Sequence, residues 1–295
     1  MRTHRFDTPG PVDLEISIES GRVQVDTWDG AETLVELDSS DAAVLEEVTV
    51  NCEPLGAGHR VVVKSPQVGG KSFRRIFARG SLDVHVRAPE QSLAEVATSD
   101  GEVRLGGHYR EVQVATASGD AEIDHVSGRA TVNTASGDVS VESVGGRAII
   151  RTASADVRCG RLDGGADVKT ASGDVQIDSV TDRVDVSSGS GDIEIGESDS
   201  CKLRTASGDL RVGGIREGQA DLKTASGDID IAVISGAMVV VDAESVSGDL
   251  SSEIELSNSE PDGMVGGEGD REIELILRTV NGDIQVRRTR ARATT

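Results

Sequence analysis

The sequence predicts an all-β protein, a single-chain β-solenoid wound in coils of about 18 residues with an amino-terminal β cap. Three observations predict it: a motif that recurs at a nearly constant interval, apolar and polar residues that alternate within each interval, and a scarcity of aromatic side chains. The predicted regions are a β cap with degenerate repeats over 1–80, the repeat region over 81–288 and a basic, disordered tail over 289–295.

The recurring motif is the pentapeptide TASGD, which begins at residues 116, 134, 170, 205 and 224. Degenerate copies such as TASAD, SGSGD, SVSGD and TVNGD fill the remaining positions. The interval between successive acidic residues of the motif is nearly constant over the first eight copies and lengthens only over the last two. A fixed period of this kind is typical of repeat architectures. The acidic residues of the motif are Glu102, Asp120, Asp138, Asp156, Asp174, Asp192, Asp209, Asp228, Asp249 and Asp283.

Within one period, apolar residues recur at every second position, which is the β-strand pattern. In the stretch 129–144, Ala130 and Val132 share one face, and Val139 and Val141 return to that face after a Gly-Asp corner. Each period therefore holds two short strands and two turns. An antiparallel meander could use the same unit, but a constant period and identical corners favour parallel coils, in which equivalent residues stack about 4.8 Å apart.

Composition agrees with thin stacked layers and limits the partners. Aromatic residues make up 2% of the 295 residues, whereas glycine occurs 35 times. Acidic residues outnumber basic ones by 52 to 30, for a net charge of −22. Because such a surface repels polyanions, nucleic acid is not an expected partner.

The two ends of the chain depart from the regular pattern. Residues 1–80 show weaker alternation and hold four of the five aromatic residues, which predicts a cap that protects a terminal strand edge. Near the carboxyl end, the sequence predicts an irregular loop from Asn258 to Asp270 and a last repeat from Glu272 to Arg287.

The repeats, together with SLDVHVRAPEQS at 81–92 and TVNGDIQVRR at 279–288, resemble the bacterial β-strand-repeat family labelled "putative adhesin", a domain of unknown function. The resemblance extends from about residue 10 to 288, and its most specific part is the Ser-Gly-Asp turn followed by alternating Val or Ile. It implies a β-solenoid and no catalytic residues.

The ten motif carboxylates are predicted to form a structural turn ladder, because aspartate side chains accept local backbone N–H bonds. The alternative is calcium, as in β-rolls built from nonapeptide repeats with one acidic turn each. Here the acidic turn recurs at about twice that spacing, so neither a metal nor another cofactor is expected.

No catalytic residues are predicted. Cys52, Cys159 and Cys201 are too few and too far apart for a disulfide framework or a zinc knuckle, and the last two take the places of inward apolar residues. The five histidines show no ligand spacing. The regular repeats also leave no room for the long loops that would wall a substrate cleft.

Two groups of basic residues stand out against the acidic background. The first alternates with aromatic residues and is a possible docking segment for an acidic partner or lipid headgroups, or else a loop that folds its aromatics over the end of the stack. Its residues are Lys71, Phe73, Arg74, Arg75, Phe77 and Arg79. The second comprises Arg287, Arg288, Arg290 and Arg292.

The resulting expectation is a non-enzymatic, adhesin-like scaffold or interaction module that binds an unidentified protein partner. The sequence shows neither a signal peptide nor an apolar run of membrane-spanning length, so a cytoplasmic location is expected. A cell-envelope or surface adhesin is the alternative, and a polysaccharide-acting β-helix enzyme is a less favoured one.

Overall fold

A computed structural model describes residues 1–56, 58–65, 81–254, 257–260, 263–266 and 271–289. The protein is all-β, as predicted, with one short helix among the described residues. The chain divides into two compact units, residues 1–152 and 153–295.

The first unit consists of strands of different lengths, the longest being β7 with 25 residues. Helix α1 begins after Asp41, whose side chain accepts the N–H of Ala43 at 2.9 Å. The elements are β1 (Arg2–Asp7), β2 (Val12–Trp28), β3 (Glu32–Asp38), α1 (Ala42–Glu47), β4 (Thr49–Leu55), β5 (Gly58–Lys64), β6 (Leu82–Pro89), β7 (Ser92–Thr116), β8 (Ala121–Val126), β9 (Ala130–Asn133), β10 (Val139–Val144) and β11 (Ala148–Arg151).

Parallel pairing at an offset of one period organises the repeats of this unit. Val139 of β10 lies beside Ala121 of β8, and Ala148 of β11 lies beside Ala130 of β9, each exactly one repeat earlier in the sequence. Because paired residues of adjacent parallel strands point to the same face, inward residues stack on inward residues. Val141, for example, is only 2% exposed. We call the two strands of one repeat and the corner between them a rung.

The amino-terminal strands do not stack in chain order. Strand β2 lies between two neighbours, with β5 and β6 on one side and β7 on the other, all parallel to it. On the side of β5 and β6, the next strands are antiparallel: β4 pairs with β5, β3 pairs with β6, and β1 pairs with β3. The hydrogen bonds of β2 with β6 and β7 cross the predicted boundary after residue 80.

The second unit continues the same pattern of strands and corners. Its elements are β12 (Val157–Leu162), β13 (Ala166–Lys169), β14 (Val175–Ser187), β15 (Ile193–Arg204), β16 (Leu210–Ile215), β17 (Gly218–Lys223), β18 (Ile229–Ile234), β19 (Ala237–Ser247), β20 (Leu250–Ser252), β21 (Ser257–Glu260), β22 (Gly263–Gly266), β23 (Arg271–Asn281) and β24 (Ile284–Thr289).

The last rung of the chain is not the last rung of this unit. Strand β23 pairs with both β17 and β19, and β24 pairs with both β18 and β20, so the rung of residues 271–289 lies between the two rungs that precede it in sequence. The second strand of this rung, β24, buries Ile284 and Val286. In β20, which lies outside β24, the residue in register with Val286 is Ser252. The more apolar rung thus occupies the covered position.

The predicted irregular loop, Asn258 to Asp270, contains regular structure. Strands β21 and β22 pair antiparallel with each other, and β22 pairs antiparallel with β19 at Val239–Val241. The prediction missed these strands because they are short and lie outside the repeat period.

Candidate interaction surfaces

The motif aspartates form a hydrogen-bonded ladder along the corners. In the second unit, Asp192 N donates to Asp174 Oδ1 at 2.9 Å, and Asp209 N donates to Asp192 Oδ1 at 2.8 Å. The same bond, at 2.8 to 3.0 Å, joins every successive pair in the order Asp156, Asp174, Asp192, Asp209, Asp228, Asp283, Asp249. In the first unit, Asp138 N donates to Asp120 Oδ1 at 2.9 Å.

Glu102 occupies the ladder position but makes a different contact. Its Oε2 accepts a hydrogen bond from Arg22 Nε at 3.0 Å, on the adjacent strand β2. The extra methylene carries the glutamate carboxylate away from the main chain, which explains why aspartate predominates at the other corners.

Glycine precedes the acidic residue at nine of the ten corners, and Ala155 is the exception. Gly191 has φ of +131°, and a Cβ there would lie 2.2 Å from the carbonyl oxygen of Gly173 on the adjacent rung. The glycine brings the corners close enough for the aspartate bond. One carboxylate oxygen is thereby committed to the fold. The described residues contain no group of three or more His, Cys, Asp or Glu side chains placed to hold a metal ion.

Removing one ladder carboxylate should destabilise the second unit. Asp174→Ala leaves the N–H of Asp192 without its acceptor, so we expect the free energy of unfolding to fall by about 1–3 kcal/mol. Asp174→Asn keeps an acceptor oxygen and removes a charge from the row, and should cost less than half as much. Urea unfolding measures both, with exposed Gln176→Ala as the control. Equal losses for the Ala and Asn variants would contradict this role.

A second feature is the outward face of the first strand of each rung in the second unit, which we call the charged face. Of the columns that the strand registers align, the following two make up the charged face. One contains Asp167, Asp185, Lys202, Asp221, Ile276 and Asp242; the other contains Lys169, Ser187, Arg204, Lys223, Arg278 and Glu244.

Ion pairs connect the two columns. Asp221 lies between two cations, with Oδ2 3.1 Å from Arg204 Nη2 and Oδ1 2.9 Å from Lys223 Nζ. Arg278 Nη2 lies 2.5 Å from Asp242 Oδ2, and Arg278 Nε lies 3.3 Å from Glu244 Oε2. These two columns contain five basic and five acidic residues, so together they are neutral in a chain of net charge −22.

Two histidines that show no ligand spacing in the sequence meet in the first unit. The rings of His108 and His125 are 4.8 Å apart, and His125 Nδ1 lies 2.8 Å from Ser143 Oγ. Their separation in the sequence is one position short of the full period, because the register of β7 with β8 shifts between Leu105 and His108. A search that allowed a slippage of one position in the period would have found this pair.

Two of the three cysteines lie where the sequence predicts them to lie. Cys159 and Cys201 are buried core residues, and Cys52 is half-buried on β4. Burial, with a smaller effect from Asp178, raises the pKa of the Cys159 thiol to about 12. Burial likewise raises the pKa of Cys201, and the Asp221 carboxylate raises it further.

Thiol labelling should therefore separate the three cysteines. Ellman's reagent at pH 8 should react with one thiol in the folded chain and with three after unfolding, because a buried thiol with a raised pKa provides almost no thiolate. Cys52→Ala should reduce labelling of the folded chain to zero. Rapid labelling that persists in Cys52→Ala would show that a core thiol is reactive.

The basic groups are only partly described. The predicted docking residues Lys71, Phe73, Arg74, Arg75, Phe77 and Arg79 lie outside the described residues. Arg287 pairs with Asp230 through Nε at 2.8 Å, and Arg288 is exposed on β24. Thr289 of the predicted tail is the last residue of β24, and residues 290–295 are not described.

A sequence profile described as Toastrack DUF4097 matches residues 12–163 and again residues 146–287. The chain belongs to the Toastrack DUF4097 family. The two matches correspond broadly to the two compact units. The predicted resemblance to an adhesin-like family of unknown function is thus confirmed. A comparison with curated proteins gave no significant match.

Three solved structures share a general likeness with this Toastrack chain. A "putative cell adhesion protein" from Clostridium sporogenes is 9% identical, with 98% of this chain and 99% of that chain covered and a TM-score of 0.25. A "putative adhesin" from Bacteroides fragilis is 10% identical, with 76% and 96% covered and a TM-score of 0.43. A "putative lipid binding protein" from Parabacteroides distasonis is 13% identical, with 96% of each chain covered and a TM-score of 0.36.

Those three descriptions belong to the proteins that carry them, since TM-scores below 0.5 support no transfer to this chain. Among the described residues of the Toastrack chain, no helix has the length and apolar character needed to cross a membrane.

Proposed function

We propose that this Toastrack protein is a non-enzymatic, adhesin-like scaffold that binds a protein partner through the charged face. We further propose that its repeats are β-solenoid coils. The parallel registers at an offset of about one period within each unit support the coil. The cytoplasmic location expected from the sequence is part of the same proposal, and cell fractionation tests it.

The neutrality of the charged face is the observation that carries the binding proposal. With a net charge of −22, most of the surface repels other acidic macromolecules. Five cations beside five anions offset that repulsion locally and offer a partner both hydrogen-bond donors and acceptors. The carboxylates of Asp242 and Glu244 that pair with Arg278 are exposed, and such surface ion pairs contribute only about 0–1 kcal/mol each to stability, so their rearrangement on binding costs little.

Site-specific photocrosslinking in cells tests this surface. A benzoylphenylalanine at Ser187, which lies between Lys169 and Arg204 on the charged face, should give a discrete crosslinked protein. The same residue at Gln176, outward on the second strand of a rung in the same unit, is the matched control. Lys223→Glu should remove the Ser187 product without lowering the melting temperature, because Lys223 is part of the face and not of the core. Equal crosslinking from both positions would contradict the proposal.

The absence of enzymatic activity is likewise a proposal. We expect the purified chain to release no reducing ends from a panel of bacterial and plant polysaccharides, with a known glycosidase as the positive control. Release that survives repurification and co-elutes with the folded chain would overturn it.

A further inference from the structure

The aspartate ladder of the second unit ends at Asp249. Asp249 N donates to Asp283 Oδ1 at 2.8 Å. The same bond forms at all the preceding steps of this ladder. Within the described part of the chain, no group donates to the Asp249 carboxylate in turn. The outermost corner therefore keeps the acceptor that an additional rung would use.

The main chain at this corner also forms its hydrogen bonds on one side only. Ile284 N donates to Asp249 O at 2.9 Å, and Gly282 N donates to Ser247 O at 3.1 Å. Because alternate residues of a strand direct their N–H groups to opposite sides, the N–H groups of Gly248 and Leu250 point away from β24. At an interior rung, the equivalent donors are occupied: Leu210 N donates to Asp228 O at 2.8 Å.

The side chains at this edge are those of an uncovered core. Leu250 stands in the inward column with Ile284 and Ile229, which are 1% exposed, yet Leu250 is 56% exposed. Val246 is 73% exposed. Strand β22 covers β19 only at Val239–Val241, so the described residues leave the edge from Ser245 to Ser252 open.

We propose that this open edge, residues 245–252, binds an extended strand of a partner protein that carries a Ser-Gly-Asp corner like those of this chain. The strand adds in parallel as a further rung. Its aspartate N–H donates to Asp249 Oδ1, its aspartate carbonyl accepts from Leu250 N, and its serine carbonyl accepts from Gly248 N. The apolar residue after its aspartate covers Leu250.

Continuity with the existing interfaces selects this occupant. Between Asp156 and Asp249 the same set of bonds recurs at each step, so the open edge has the donors and acceptors of an interior rung with one partner missing. Unpaired edges of this kind are sites of strand addition, in which main-chain bonds give affinity and side-chain pockets give selectivity. The site is separate from the charged face and does not depend on it.

The probe is a fluorescent peptide that copies residues 220–233 of this chain, titrated with the full-length protein and followed by anisotropy. We expect saturable binding that Leu250→Lys weakens at least about tenfold. Ser251→Lys, one residue away on the outward face, should leave the affinity unchanged. Circular dichroism and melting of both variants establish that they are folded.

A second comparison isolates the aspartate bond. Replacing the peptide residue that copies Asp228 with proline removes the N–H that Asp249 would accept, and should weaken binding to the unsubstituted protein about tenfold. The same peptide change should have little further effect on Asp249→Ala. Absence of saturable binding, or binding that Leu250→Lys does not change, overturns the proposal. A dimer that Leu250→Lys converts to a monomer would also overturn it, because the edge would then join two copies of this chain.

Discussion

Val141→Asp should lower the free energy of unfolding by about 3–5 kcal/mol, the typical cost of an uncompensated buried charge. Val141 is 2% exposed on β10 and stacks on Ile123 of the neighbouring rung, so an aspartate there reaches neither water nor a basic partner. Since natural domains are stable by only about 5–15 kcal/mol, much of the stability would be lost. Urea unfolding followed by circular dichroism measures the effect.

The pH dependence of this variant has a definite sign. Burial raises the pKa of the new carboxyl above its value in the unfolded chain, so the unfolded state ionises first as the pH increases. The variant should therefore lose stability relative to the unsubstituted protein as the pH rises from about 4 towards neutrality. Ser140→Asp, one residue earlier and exposed, is the control and should change stability by less than about 0.5 kcal/mol. Equal midpoints for the two variants would contradict the assigned inward face.

Gly191→Ala should lower the free energy of unfolding by about 2–6 kcal/mol, the sum of two costs. A non-glycine residue at φ of +131° costs about 1–3 kcal/mol in backbone strain. The added Cβ, 2.2 Å from Gly173 O, forces adjacent rungs apart at a further cost of about 1–3 kcal/mol. Thermal and urea unfolding measure the loss.

Gly214→Ala is the matched control for this substitution. Gly214 is another glycine of the second unit, but its φ is not positive, and an added Cβ would lie 3.4 Å from the Ile234 side chain. We expect a change of less than about 1 kcal/mol, because a contact at that distance needs only a small adjustment. A Gly214→Ala loss as large as that of Gly191→Ala would mean that the corner has no special backbone requirement.

The sequence by itself determined the features that depend on local periodicity. Apolar residues at every second position assigned Val139 and Val141 to one buried face, and the TASGD period put the corner at Gly137 and Asp138. It also put Cys159 and Cys201 in the core. These assignments hold because a strand buries alternate side chains whatever its neighbours are.

Only the tertiary structure decided which rungs are neighbours. The insertion of residues 271–289 between earlier rungs, and of β2 between β6 and β7, depends on which strands cover one another's apolar faces, and such long-range choices leave no mark on a local pattern. The contact of His108 with His125 depends on a register shift, and the charged face depends on strand alignment. Asp249 terminates the ladder for the same reason: the more apolar rung is buried beneath it, and the less apolar rung is left at the edge.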